Sequence, residues 1–583
     1  MIWKGWDSLE DVIRISLGDW QYNAGIVGLY RILKHAGFDI IEYTDKYNNM
    51  EDKKLNRFIN HEIIFPSVYL ENFTEKYYTY LIDTYIEQIS YGRIIRFKEY
   101  ANRVLDMEDD EIDEKVFEII NDYIKNVLKY YLKSASYKSA FDLIDGSANV
   151  VNKAMSIEQV KKTNKDIDLD VKNKIKDVCE KIIDIIDTLE ENQYKKYLAG
   201  KNVIYTYIKR NWNGVSILNA QVKEKDIYRE FDNYFVKPAI LYLNEEKSKF
   251  KYTCYTCGSK IKDLKTNLSF VNGMGFDVAR KSSHVWNFQN DIGICELCKL
   301  IYACMPAGFV YGFDKGIFIN SNTSIYALIE TNKKLTINMQ EEINKNEGSS
   351  TYKSIVEAIT SRGIEGSKFE LADIQVVFYE KEKYVFNMLH KNILELIDNS
   401  SEKLKNLKKG CFKENKSYIY LYETTVRQIL DNKNMFLWID KLIRYSITNK
   451  ADCYYQMGHV LNILEINFEY LKEVGEMGNS KYLIYKMKDS GNDIRVAYYG
   501  KGVEHKLLGI SHQILNALKT SNTSQFMDVM IRMYMYVKKE IPKEVINCLK
   551  TDEEFKVYGY AFLLGLNGSL SEKQENLESK DEN

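Results

Sequence analysis

Cys254 and Cys257 stand in the string YTCYTCGSK, and Cys295 and Cys298 in ICELCKLIY. No other feature of this 583-residue chain limits its fold as tightly. A Cys-x-x-Cys turn brings two thiolates onto one ion, and a second such turn completes the tetrahedral sulfur shell that zinc takes. Residues 258 to 294, 37 in all, separate the two pairs. The insert must therefore be a small folded excursion whose ends the metal pins together. A closed four-sulfur shell leaves no position for water or substrate, so such a metal builds structure and does no chemistry. The competing reading, a redox disulfide, needs only one pair, usually placed where a strand feeds a helix. Cys304 follows Cys298 closely and His284 lies in the insert. Either could replace a ligand; a small buried hydrophobe and a surface imidazole are their plainer fates.

At this length two to four domains are expected, and 45% hydrophobic residues are ample for real cores. Only 4 prolines occur, which favours long unbroken helices. The formal charge of −2 hides a local asymmetry: Lys247 to Lys299 carries nine Lys/Arg against four Asp/Glu. A basic segment in a neutral chain suits contact with phosphates at one place, although a solvated face has the same composition. The first twenty residues carry charges where a signal peptide would be apolar, and no apolar run is long enough to span a bilayer. Free cysteines and a thiolate metal site then imply a reducing cytoplasm.

Residues 11–17, DVIRISL, read as a strand, and WQYNAGIVGLYRILKHAG as a helix that stops at Gly37. FDIIEY, 38–43, reads as a second short strand. Residues 70–200 read as a charged helical insertion in which Ile175, Val178, Ile182, Ile186 and Leu189 form an apolar stripe, with Cys179 beside it in the core. Residues 202–219 read as a strand or hairpin edge, 250–300 as the zinc module, and YACMPAGFVYGFDKGIFIN as glycine-punctuated β structure. A hairpin is expected over 369–389, an exposed loop over 344–350, and almost continuous helix from about 415. The expected class is α+β: a mixed α/β N-terminal domain, 1–420, with a helical insertion and a zinc-stabilised module, followed by a C-terminal helical bundle, 421–568. A polar tail, 569–583, is expected to be disordered.

Enzyme signatures are missing from the sequence. It has no G-x-x-x-x-G-K-[ST] loop, no H-E-x-x-H and no G-x-S-x-G elbow. The seven histidines are scattered; His505 and His512 share a helix face and read better as core or surface residues than as a catalytic pair. Weight moves toward a scaffold that binds other macromolecules.

Several stretches, in order, resemble one family: RISLGDWQYNAGIVGLYRIL at the start, NWNGVSILN in the middle, the double cysteine knuckle, MPAGFVYGFDKGIFINSNTS after it, and the tail from KLLGISHQILNALK to YGYAFLLGL. The family is the large subunit of type I-B CRISPR interference complexes (Cascade), in the Cst-type branch of the eighth Cas protein family. The helices of roughly 70–200 match nothing in it. The resemblance implies a non-catalytic subunit placed at the 5′ end of the CRISPR RNA among backbone, handle-binding and small subunits. Such a subunit helps to recognise a short protospacer-adjacent motif in target double-stranded DNA. It supports strand opening and recruits a helicase-nuclease, while base pairing reads most of the sequence. It also implies that the C-terminal helices can be made separately from an internal start, for which Met457 and Met477 are suited.

Two segments are candidates for nucleic-acid contact. In the first, Lys209 and Arg210 would hold phosphates, Asn211 and Asn213 would pair with base edges, and Trp212 would stack or wedge; an ordinary turn with a half-buried Trp is the alternative. The second is the zinc insert, with Lys260, Lys262, Lys265, Asn272 in a flexible NGMG, Arg280 and Lys281. Gly25 and Gly28 suggest close helix packing, and Trp20 and Asn23 are candidates for contact with a neighbouring subunit or the guide. Lys506, Lys519 and Arg532 could line a displaced strand. The competing function is a zinc-module nucleic-acid-processing enzyme with an unrecognised active site; a helical structural protein with an incidental zinc is a third.

Overall fold

The structure, a computed structural model, describes residues 12–50, 62–162, 167–273, 292–312, 315–345, 350–360, 374–415, 417–478, 481–547 and 549–568. The expected tail, 569–583, and residues 346–349 of the expected loop lie outside them. The class is mixed α and β, with small sheets among many helices.

Strand β1, Val12–Ser16, forms as expected and pairs antiparallel with β2, Glu62–Pro66, from Val12↔Pro66 to Ser16↔Glu62. Helix α1, Trp20–His35, starts where Asp19 Oδ1 accepts from the backbone N–H groups of Gln21 (2.8 Å) and Tyr22 (2.9 Å). This satisfies donors that the first turn would otherwise leave orphaned. It ends just before Gly37, whose φ of +89° suits the stop the sequence implied.

Two expected strand regions are helical over most of their length. FDIIEY enters α2, Ile40–Met50, because Asp39 Oδ1 accepts from the N–H groups of Ile41 (3.1 Å) and Glu42 (3.3 Å) and so caps a helix. Residues 202–211 continue a helix through a wide π-turn at Ile204–Ile208. Its aromatic and branched residues Ile204, Tyr207 and Ile208 are buried at helical, not alternating, spacing. The β region after the second knuckle begins later than expected: Met305–Gly308 is still helical, and strands β5, Val310–Gly312, and β6, Lys315–Ser321, follow.

The expected hairpin is present as β7, Ile374–Glu380, and β8, Lys383–Leu389, joined by Lys381 and Glu382. With β5 and β6 it forms an antiparallel sheet of order β5-β6-β7-β8. That sheet is a wall between two apolar cores. Phe318 and Val377 face one core, which gathers α1, β1, β2, the helices up to residue 245 and the cysteine segment. Their neighbours Ile317, Ile319, Val376 and Phe378 face the other, which gathers the helices between residues 391 and 566. The alternation is the two-residue period of a strand buried on both faces. From residue 415 onward helix predominates, beside a small sheet of Cys411–Glu414, Ser417–Tyr420 and Cys453–Tyr454.

Candidate metal centre and the surface around it

The first knuckle is held by a short hairpin of β3, Tyr252–Thr253, and β4, Lys260–Ile261. Cys254 N–H donates to Ser259 O (2.7 Å), and the chain reverses through Gly258, whose φ is +72°. The second knuckle is a helix start: Cys295 occupies the N-cap position of helix Glu296–Ala303, and its sulfur accepts from Cys298 N–H (3.3 Å). Cys295 N–H in turn donates to the sulfur of Cys254 (3.2 Å), joining the two knuckles. N–H donors aimed at sulfur favour its thiolate form.

All four sulfurs lie within 4.8 Å of one another. Cys254 and Cys298 are 3.9 Å apart and Cys257 and Cys295 3.7 Å. Sulfurs placed tetrahedrally at about 2.3 Å from an ion stand roughly 3.8 Å apart; disulfide sulfurs bond at about 2.05 Å. The cysteine cluster thus fits a metal ion such as zinc. Hydrogen bonding to Cys254, Cys257 and Cys295, and then burial, push the Cys298 thiol far above its ordinary value. Four thiolates cannot share this space without a cation. Cys304 is not part of the group: its thiol donates to Leu300 O (3.2 Å), and burial raises its pKa. His284 lies outside the described residues.

Groups that sequence spacing did not bring to notice surround the sulfurs. Tyr22, on α1, places its hydroxyl 3.5 Å from Cys298 Sγ, and its ring lies 5.2 Å from that of Tyr302. Burial, then the charge of Cys298, holds the Tyr22 phenol well above its usual pKa. Tyr302 donates to Asp19 (2.5 Å), the same carboxylate that caps α1, and its hydroxyl lies 3.3 Å from that of Thr256. More than 230 residues separate Asp19 from the first knuckle, and nothing in its local sequence marks it beyond the capping role.

Behind the second knuckle, α1 crosses helices Glu296–Ala303 and Met305–Gly308 at backbone contact. A Cβ on Gly25 would meet Ile301 O at 2.2 Å, one on Gly28 would meet Cys304 O at 2.0 Å, and one on Gly308 would meet Ala24 O at 1.9 Å. The close packing expected of Gly25 and Gly28 therefore rests against the helix that the second knuckle begins.

The two segments singled out for nucleic acid come together. Trp212 pairs with Val271 in an antiparallel bridge, Asn213 N–H donates to Phe270 O (2.9 Å), and Asn272 Nδ2 donates to Lys209 O (2.8 Å). Their side chains divide into two groups. Lys209, Asn213, Lys260, Lys262 and Lys265 are exposed, and Asn272 is half-buried. Arg210 is also half-buried, 5.4 to 5.9 Å from the ring centres of Tyr207, Tyr311 and Tyr379. Trp212 is fully buried, its Nε1 donating to Ala303 O (3.1 Å), and Asn211 is buried beside Tyr311. Neither Trp212 nor Asn211 is open to a base. Arg280 and Lys281 lie outside the described residues.

Trp20 packs edge-on against Tyr384 (5.0 Å) and Phe386 (5.3 Å). Asn23 is buried, donating to Gly18 O, Asn320 Oδ1 and Asn322 Oδ1. Both serve internal packing in this chain. Lys506, Lys519 and Arg532 lie on C-terminal helices and are exposed. No helix among the described residues is long and apolar enough to cross a membrane.

Residues 247–310 match the model of a family described as CRISPR-associated protein (Cas_CXXC_CXXC). The match spans both knuckles and the start of the central sheet. No curated protein and no solved structure matches this chain.

Proposed function

We propose that this protein is a non-catalytic, zinc-stapled large subunit of a CRISPR RNA-guided surveillance complex of type I-B, acting in the cytoplasm. The carrying observation is the set of four converging sulfurs inside the segment that matches a CRISPR-associated family. In this role zinc fixes a β hairpin and a helix start against α1 and leaves reaction chemistry to partners. Exposed Lys260, Lys262 and Lys265 on the hairpin side, with Lys209 and Asn213 beside Asn272, supply the cations and amides that a phosphate backbone and base edges need. The subunit helps to recognise the protospacer-adjacent motif in target double-stranded DNA, supports the opened strands and recruits the helicase-nuclease. Its assembly partners are the CRISPR RNA and the backbone, handle-binding and small subunits.

The test is co-expression with a CRISPR array and the companion subunits, followed by purification through this chain. The expected result is a complex carrying RNA of one defined length that shifts target duplex only when the adjacent motif is present. A chain that purifies without RNA or companions, or that cleaves nucleic acid alone, would count against the proposal.

A further inference from the structure

The helical segment between residues 70 and 200 holds a groove that the cysteine segment does not reach. Its cavity has a volume of about 510 Å³ and is lined by Lys125, Lys129, Lys133, Tyr130, Glu158 and Lys161, among others. One wall is the helical stretch that opens with a π-turn at Tyr123–Leu128 and continues through Lys129–Leu132. The lysines at 125, 129 and 133 follow one another at four-residue intervals along it. The facing wall is the segment from Ile157 to Lys162, and it is tied down. Val160 N–H donates to Asn121 Oδ1 (2.8 Å), Asn121 Nδ2 to Val160 O (3.0 Å), and Gln159 Nε2 to Asn121 O (3.1 Å). Lys161 is thereby held across the groove from the other three. Lys129 Nζ donates to Met155 O (2.9 Å), which fixes one of the cations in place.

Like charges at i,i+4 repel, and the repulsion here is not relieved internally. Lys98, Lys153, Lys162, Lys176 and Lys181, on the same segment, each close on a carboxylate. Lys125, Lys133 and Lys161 have no such partner among the described residues, and Glu158 is the single acid of the lining. Lys125 to Lys133 spans about 12 Å of helix, too long for one phosphate group and suited to successive phosphates of a strand. Tyr130 stands in the same lining with 67% of its surface open. An exposed ring beside phosphate-holding cations takes an unpaired base, which a duplex does not offer.

We propose that this groove binds an unpaired nucleic-acid strand, with the lysines on its phosphates and Tyr130 stacked on a base. The idea stands on the groove alone, so its failure leaves the preceding reading intact. The experiment titrates the full chain, with its metal, against a labelled unpaired RNA of about a dozen nucleotides, the same sequence as unpaired DNA, and a duplex, over a series of salt concentrations. The triple variant Lys125→Gln, Lys133→Gln, Lys161→Gln should bind unpaired strand at least about tenfold more weakly, with a salt slope shallower by about 2. Tyr130→Ala should weaken the unpaired strands by about tenfold and leave the duplex unaffected. All four changes are on exposed side chains, so thermal unfolding should match the parent and exclude misfolding as the cause. An unchanged affinity and slope in the triple variant would overturn the proposal. So would an equal loss for duplex and unpaired strand, or displacement of the strand by inorganic phosphate at similar concentration.

Discussion

Cys257 is the one exposed residue of the four, while Cys254, Cys295 and Cys298 are buried. Replacing it with Ser removes a ligand without opening the core, which makes Cys257→Ser the cleaner test of the centre. Metal content should fall from about one ion per chain to near none, because a structural zinc is held by its full sulfur set. Hydrogen exchange should then quicken over β3, β4 and the first turn of helix Glu296–Ala303. The remainder of that helix should stay protected, since Ile301 and Tyr302 are packed in the core with α1. Retained metal would refute the assignment. A second prediction concerns the helix crossing. In Gly28→Ala the new methyl meets a backbone oxygen, Cys304 O, that cannot turn aside, so about 3 kcal/mol of stability should be lost. Gly509, in helix Lys506–Lys519, has nothing near its missing Cβ; Gly509→Ala should instead stabilise by about 0.5–1 kcal/mol. Denaturant unfolding of both variants measures the contrast. The four cysteines could be read from spacing, and the glycines from their place on a helix. Asp19, Tyr22 and Tyr302 could not, because their partners are set by tertiary contacts across more than 270 residues.

At the scale of elements, legibility followed how local the deciding interaction was. Strand β1 and the β7–β8 hairpin were readable because β-branched and aromatic runs bounded by charged turns commit locally. Residues 38–43 suggest a strand, but the deciding group is one carboxylate, Asp39, acting as a helix cap. In residues 202–211 aromatic and branched enrichment suggests a strand, yet the run is helical. Tyr207 instead fills an aromatic cluster, 4.4 Å from Tyr85 and 4.7 Å from Tyr311 between ring centres, while Tyr205 is exposed. The charge of its neighbours points to Trp212 as a stacking or wedging ring, yet Phe235, 5.1 Å away between ring centres, and the Ala303 carbonyl hold it inside. The hairpin carries its own prediction. Lys381 and Glu382 both adopt positive φ, +50° and +61°, the backbone of a tight turn that Asn-Gly satisfies best. The double change Lys381→Asn, Glu382→Gly should raise stability by about 1 kcal/mol, read as a higher midpoint of thermal unfolding. An unchanged or lower midpoint would mean that the turn is held by its neighbours and not by its own backbone.

For the whole molecule, the two-faced sheet sets what can be separated. Helix Met457–Glu473 puts Val460, Ile463, Leu464, Phe468 and Leu471 into the second core. A C-terminal fragment beginning at Met457 keeps this helix and should fold into a helical, cooperatively melting unit. One beginning at Met477 lacks it and should be poorly soluble. Circular dichroism of the two fragments distinguishes them, and a well-folded Met477 fragment would show that the second core closes without that helix. The crossing of α1 with the helices after Cys298 has a different consequence, one of time. The face of α1 that carries Gly25 and Gly28 has its partner some 270 residues further along the chain. At ribosomal speeds of about 5–20 residues per second, that face waits roughly 15 to 55 s for its cover to be made. During that interval the nascent chain depends on whatever shields apolar surface in the cell, and closure of the four-cysteine cluster, which needs Cys298 to have emerged, falls at the end of the wait.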